Sequence, residues 1–121
     1  PLHIWQERRE GGMADALILT PQILLPPRDW LRERCDIRLA DMFNSGAAGE
    51  VAALVARKLD PQLPVMRAIG VRQLAAAQAG ETSLADALTL AQAATRQYAK
   101  RQYTWFRHQL PDDWPRHVES L

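Results

Sequence analysis

The stretch from Ala91 to Arg107, AQAATRQYAKRQYTWFR, holds the residues best suited to chemistry. At helical spacing Arg96, Lys100, Tyr103 and Arg107 recur three or four apart, with Arg101 beside them, so cations gather around an aromatic ring on one helix face. No acidic residue interrupts from Ala87 to Pro111. Like charges one turn apart cost roughly 0.2 to 0.5 kcal/mol, so a helix exposed to water normally mixes signs. A face left unneutralised suits a partner that brings its own anions, and phosphates do so. The competing reading is a plain solvated face, and the pattern alone leaves both open. The opposite side of the same segment carries Leu84, Ala87, Leu88, Ala91, Thr95, Tyr98, Gln102 and Trp105, a small-residue and aromatic stripe that would dock on a core.

Two further groups have phosphate-binding character. In Val65 to Leu74, Arg67 and Arg72 flank Ala68, Ile69, Gly70 and Val71 with no acid nearby. Gly70 would cost about 1 kcal/mol against alanine inside a helix, so it marks either an ordinary turn or a close approach of backbone to a ligand. Arg34 and Arg38 sit one helical turn apart, and planar guanidinium forks bind phosphate or pyrophosphate oxygens bidentately. Surface pairing with Glu33 and Asp41 is the alternative for them.

The elements that position these groups follow from punctuation and periodicity. Pro1 to Glu10 reads as a helix with Leu2 or Ile4 and Trp5 on one side, closed by Gly11-Gly12. Residues 16–20 (ALILT) read as the one short strand, buried on both faces, and since a lone strand makes no sheet its partners are expected elsewhere. Pro26-Pro27 precedes a helix from about Arg28 to Asn44, with Leu31, Cys35, Leu39, Met42 and Phe43 inward and Asn44-Ser45-Gly46 as its stop. A helix over about Ala47 to Lys58 turns Val51, Leu54 and Val55 inward, and Asp60 to Pro64 forms a turn. Gly80 ends a short helix, Ser83 and Asp86 form a capping box that starts the long basic helix, and an irregular tail folds back through Trp114. The fold is thus mainly α-helical with one short strand. The start at Pro1, in a run that reads as a helix already under way, suggests a fragment.

Composition narrows the classes. With 121 residues, 47% hydrophobic and 24% charged, the chain has ordinary globular composition and room for one modest core. The net charge of +1 averages over basic clusters at Arg8-Arg9, Arg28 to Arg38 and Arg96 to Arg107, so local charge says more than the total. A single cysteine, Cys35, excludes an internal disulfide, fits a reducing compartment and reads as core packing. No apolar run is long enough for a bilayer, and a cytosolic protein is expected. His3, His108 and His117 lack metal-ligand spacing, and no Walker-type glycine loop occurs.

MRAIGVRQ over Met66 to Gln73, followed some twenty residues later by ATRQYAKRQYTWFR over Ala94 to Arg107, resembles the C-terminal part of the tRNA dimethylallyltransferase (IPP transferase) family. The likeness extends through Gly80-Glu81, Ser83-Leu84, Arg34, Arg38, Met42, Gly46, Glu50-Val51, Leu54, and the opening Pro1-Leu2 with Trp5-Gln6, leaving out the last dozen residues.

That resemblance implies a P-loop NTPase-like α/β core of which residues 13–121 are the C-terminal part and residues 1–12 the end of a helical insertion. It implies tRNA as partner, a monomeric full-length enzyme, and a flipped adenine whose N6 displaces pyrophosphate from dimethylallyl diphosphate, assisted by Mg2+ whose ligands lie outside this chain. Arg67, Ala68, Ile69, Gly70, Val71 and Arg72, together with Arg96, Lys100, Arg101, Gln102, Tyr103, Thr104, Trp105, Phe106 and Arg107, would contact tRNA. Arg38, with Arg34 second, would approach the diphosphate, where positive groups stabilise the departing charge. The departures are as specific. The family's phosphate loop and catalytic acid have no counterpart here, so no catalytic residue is assigned. Ala77 and Gln78 replace an aromatic and an aliphatic residue, and Tyr103 an aliphatic one. A non-catalytic helical RNA-binding module and a purely structural helical piece are the alternatives.

Overall fold

The computed structural model describes residues 16–118, so the helix expected over Pro1 to Glu10, its glycine stop and the 1–12 segment lie outside the described residues. Among the described residues four α-helices follow one another: α1 over Arg28–Ser45, α2 over Ala47–Ala56, α3 over Val71–Gln78 and α4 over Leu84–His108. A 3-10 turn over Pro64–Arg67 leads into α3. Two short strands, β1 (Ile23–Leu24) and β2 (Arg116–His117), pair in parallel and bring the tail back beside the start of the helical part.

Local chemistry accounts for the helix ends. Pro27, at φ −52°, stands just ahead of α1 and its carbonyl accepts the Leu31 N–H at 3.0 Å, while Asp29 puts a negative charge in the first turn. Gly46 serves both neighbours: its N–H donates to Met42 O at 3.4 Å and its carbonyl accepts from Glu50 N at 3.2 Å, so α2 starts where α1 stops. α3 ends in a Schellman arrangement, with Gly80 at φ +76°, Gly80 N donating to Ala77 O and Glu81 N to Ala76 O. Ser83 caps α4 by accepting from Asp86 N at 3.0 Å, and its hydroxyl donates to the Asp86 carboxylate at 2.7 Å.

The core lies where α4 meets α1 and α3. Leu39 and Phe43 from α1, Val51 from α2, Leu74 from α3 and Ala87 and Ala91 from α4 are buried together, with Ala47, Val71, Ala75, Ala77 and Leu88 around them. Ala87 and Ala91 are fully covered, and their small side chains allow close helix approach. Side-chain amides tie the layers: Gln78 Nε2 donates to Ala48 O at 2.6 Å and Gln92 Nε2 to Asp36 O at 3.2 Å.

Several sequence expectations are corrected. Residues 17–20 form no strand; Leu17, Ile18 and Leu19 are exposed, Ile18 at 99%. Continuous apolar character cannot distinguish a buried strand from an uncovered one, and no described strand runs beside it. The sheet forms at Ile23–Leu24 instead, because Pro115 O and His117 O accept from Ile23 N at 2.9 Å and Leu25 N at 2.7 Å. Met42 and Val55, expected inside, are exposed, and Leu31, Cys35 and Leu54 are half-buried. In α4 only the middle of the stripe docks, from Ala87 to Thr95, while Leu84, Tyr98, Gln102 and Trp105 are exposed. At about 1.5 Å per residue α4 is about 37 Å long against about 12 Å for α3, so α3 cannot cover its outer half.

Gly70 has the backbone of a turn. It precedes α3 at φ +99°, its N–H donates to Gln73 Oε1 at 3.0 Å, and a Cβ there would meet only Phe43 Cε2 at 3.9 Å. Backbone handedness, not space, requires glycine. Gly70→Ala is therefore expected to destabilise by about 1 to 2 kcal/mol. Gly49→Ala, inside α2 with open space around it, should stabilise by about 0.5 to 1 kcal/mol. Urea midpoints of the two variants moving in the same direction would contradict this assignment.

Candidate nucleic-acid interface

α1 and α4 run antiparallel, since contacts descend along one as they ascend the other: Asp36 meets Gln92 and Arg96, and Arg28 meets Tyr103. This crossing sets the geometry of the basic surface. Lys100, Arg101 and Arg107 make no ion pair among the described residues, which is the unneutralised face expected from sequence. Arg96 differs, because its Nη1 donates to Asp36 Oδ2 at 2.8 Å across the helix pair. An acid sixty residues away in sequence neutralises what looked unpaired along the helix.

Asp36 is only half-served by this contact. Its second carboxylate oxygen, Oδ1, is buried with no hydrogen-bond partner. Unsatisfied polar atoms are costly, so the carboxylate depends on Arg96 more than the arginine depends on it.

Aromatic rings stand among the cations. Tyr98, Trp105 and Phe106 are exposed, and Trp105 and Phe106 meet edge to face with centroids 5.2 Å apart. The Arg101 guanidinium lies 5.7 Å from the Tyr98 ring centroid, and Arg28 lies 4.8 Å from that of Tyr103. A cavity beside Trp105 is lined by Gln97, Lys100, Arg101, Thr104 and His108 as well; another opens between Tyr98, Arg101, Gln102, Trp105 and Phe106. Exposed rings beside unpaired cations are the components of a surface that stacks bases and tracks phosphates.

Arg34 and Arg38 share a separate open cavity with Trp30, Cys35 and Asp41, and Arg34 lies 5.9 Å from the Trp30 ring centroid. Neither arginine is ion-paired with Glu33 or Asp41 among the described residues, so the surface-pair alternative does not hold. Arg67 closes the 3-10 turn, Gly70 precedes α3 and Arg72 stands in its first turn. Arg67, Ala68, Ile69 and Arg72 are exposed, Val71 is half-buried against the core, and Gly70 is buried. The cavities along α1 and α4 are lined by neither Arg67 nor Arg72, so the structure brings the α4 cations together with α1 and leaves the Arg67–Arg72 segment apart from those cavities.

Sequence reasoning overlooked Arg28 and Arg32 as individual residues, although they are one turn apart like Arg34 and Arg38. Both line a cleft with Arg96, Lys100 and Tyr103. Among the described residues no three His, Cys, Asp or Glu side chains gather as a metal site. No described helix is long and apolar enough to cross a membrane.

The asymmetry at Asp36 has a measurable consequence. Arg96→Ala, which strands a partly buried carboxylate, should destabilise by about 1 to 3 kcal/mol. Asp36→Ala, which also removes the unsatisfied oxygen, should cost under about 1 kcal/mol. Denaturant titrations giving equal losses for the two would contradict the ordering.

The family model described as IPP transferase matches residues 1–109. A tRNA dimethylallyltransferase of Sphingopyxis alaskensis is 68% identical over 97% of this chain, and one of Erythrobacter litoralis is 57% identical over 93%. The chain spans 38% and 35% of their respective lengths. The crystal structure of the full-length tRNA isopentenylpyrophosphate transferase of Bacillus halodurans superposes with a TM-score of 0.72 at 26% identity, over 97% of this chain and 36% of that one. The tRNA delta(2)-isopentenylpyrophosphate transferase of Staphylococcus epidermidis gives 0.71 at 30% identity, over 80% and 32%. With a family match over most of its length and relatives of this identity, the chain belongs to the IPP transferase family.

Proposed function

We propose that this chain is the C-terminal, tRNA-binding part of a P-loop NTPase-like enzyme that transfers a dimethylallyl group from dimethylallyl diphosphate to N6 of the adenine 3′ of the anticodon. The observation that carries the reading is the outer half of α4, where Lys100, Arg101 and Arg107 are without ion pairs among the described residues beside exposed Tyr98, Trp105 and Phe106. The names of the relatives supply the reaction, and the cations and rings supply a reason for RNA to be held here.

In this reading the N6 nitrogen forms a bond to C1 of the dimethylallyl group as the C1–O bond breaks, the bonding electrons leave with pyrophosphate, and N6 releases a proton. Arg38 and Arg34 stand near the diphosphate and offset the charge that grows on it. The α4 cations hold the RNA backbone so that the adenine, turned out of its stack, stays oriented. Arg67 and Arg72, with the intervening backbone, form a second contact with tRNA. The phosphate loop and the acid that takes the N6 proton belong to the part of the enzyme outside this chain. A monomeric enzyme in the cytosol is the corresponding expectation.

Binding of unmodified tRNA, followed by fluorescence anisotropy across a salt series, tests this. Each phosphate contact contributes about 0.7 to 0.9 to the slope of log affinity on log salt, so Lys100→Ala with Arg101→Ala should weaken binding and flatten the slope by about 1.4 to 1.8. An unchanged slope would sink the reading in favour of a structural role for α4. The 121 residues alone are expected to incorporate no dimethylallyl group into tRNA. Binding without incorporation in the full-length protein would instead indicate a non-catalytic RNA-binding module.

A further inference from the structure

The cleft at the crossing of α1 and α4 is built from both helices, and neither basic segment predicts it alone. Arg28 and Arg32 enter from α1, and Arg96, Lys100 and Tyr103 from α4. Its volume, about 40 Å3, is close to that of three water-sized atoms at roughly 10 to 15 Å3 each. A phosphoryl group's oxygens are of that scale. Arg32, Arg96 and Lys100 also line an adjoining cavity with Gln97, and Lys100 and Gln97 line the next one, which reaches Trp105. Lys100 lines all three cavities, so cations follow one another along this surface from Arg28 towards the exposed rings.

Among the described residues two acids pair with cations of this surface. Asp36 holds Arg96 at 2.8 Å, and Asp29 lies 3.2 Å from Arg32 in an i, i+3 pair whose carboxylate is fully exposed, where such pairs contribute little. Arg28 and Lys100 have no carboxylate partner among the described residues. Arg28 rests over the Tyr103 ring, which fixes its guanidinium without consuming its charge. At the start of α1 no side chain caps the backbone N–H groups, adding a favourable dipole next to Arg28.

We propose that this cleft is a phosphate site in which Arg28 and Arg32 extend the RNA-binding track across α1 and engage a backbone phosphate of the bound tRNA. The inference rests on the tRNA-binding reading of α4 and adds two residues and a second helix to it. Free diphosphate has the same chemistry as a backbone phosphate, and the experiment separates the two sources.

Arg28→Gln and Arg32→Gln, made singly in the full chain, are compared by tRNA binding over a salt series and by binding of inorganic pyrophosphate. The expected result is weaker tRNA binding, with the slope flattened by about 0.7 to 0.9 per arginine, unchanged pyrophosphate affinity and an unchanged thermal midpoint for Arg32→Gln. Arg28→Lys, which keeps the charge, should retain most of the affinity lost in Arg28→Gln. Loss of pyrophosphate affinity with tRNA binding intact would overturn the proposal and assign the cleft to a free diphosphate. Unchanged tRNA binding in both glutamine variants, while Lys100→Ala still weakens it, would overturn the cleft alone. If Lys100→Ala has no effect either, the tRNA-binding reading of α4 fails with it.

Discussion

Packing at Ala87 and Ala91 is the constraint on which the rest of the structure depends. Two fully covered small residues, one helical turn apart, let α4 lie close against Leu39, Phe43 and Leu74, and larger side chains there would force the helices apart. Because the contact occupies the first half of a 25-residue helix, the second half is carried past α3 as a continuous rigid rod. The same contact that builds the core thereby positions the cations. A basic segment on a loop would hold its charges far less firmly.

α1 completes the arrangement by running back along that rod. Its carboxylate at Asp36 and its carbonyl at the same residue anchor α4 near the core, and its first turn reaches Tyr103. Electrostatic character changes along the crossing: neutralised and half-buried at Arg96, open at Lys100 and Arg101. That gradient separates a structural ion pair from charge available to a ligand. The chain belongs to the IPP transferase family and spans 38% of the length of the Sphingopyxis relative; in the proposed reading the available charge meets RNA and the remaining catalytic groups lie outside this chain.

The sequence made local features legible and distant pairings illegible. Pro27, Gly80 and Ser83 marked helix ends within a residue or two because each acts through backbone conformation or an adjacent hydrogen bond. The basic face of α4 could be read from helical spacing for the same reason. Asp36 and Arg96 are sixty residues apart, and no spacing rule brings them together. The strand expected at residues 16–20 failed through the converse problem: an apolar run reports what could be buried, whereas burial depends on what arrives to cover it. The middle of the α4 stripe, Ala87 to Thr95, followed its periodicity, and Tyr98 and Trp105 did not, since α3 has only eight residues.

The tail illustrates how a small contact can have a large topological effect. Arg116 directs its guanidinium at Leu110, Asp112 and Trp114 carbonyls, bending the chain so that β2 meets β1. Ile23 and Arg116 lie further apart in sequence than Arg28 and Tyr103 or Asp36 and Arg96, although loop entropy grows so slowly with length that the ladder costs only slightly more to close than the α1–α4 crossing. A ladder of two residue pairs has little to hold it, so it is expected to open more easily than the α1–α4 crossing, and opening it leaves that crossing whole.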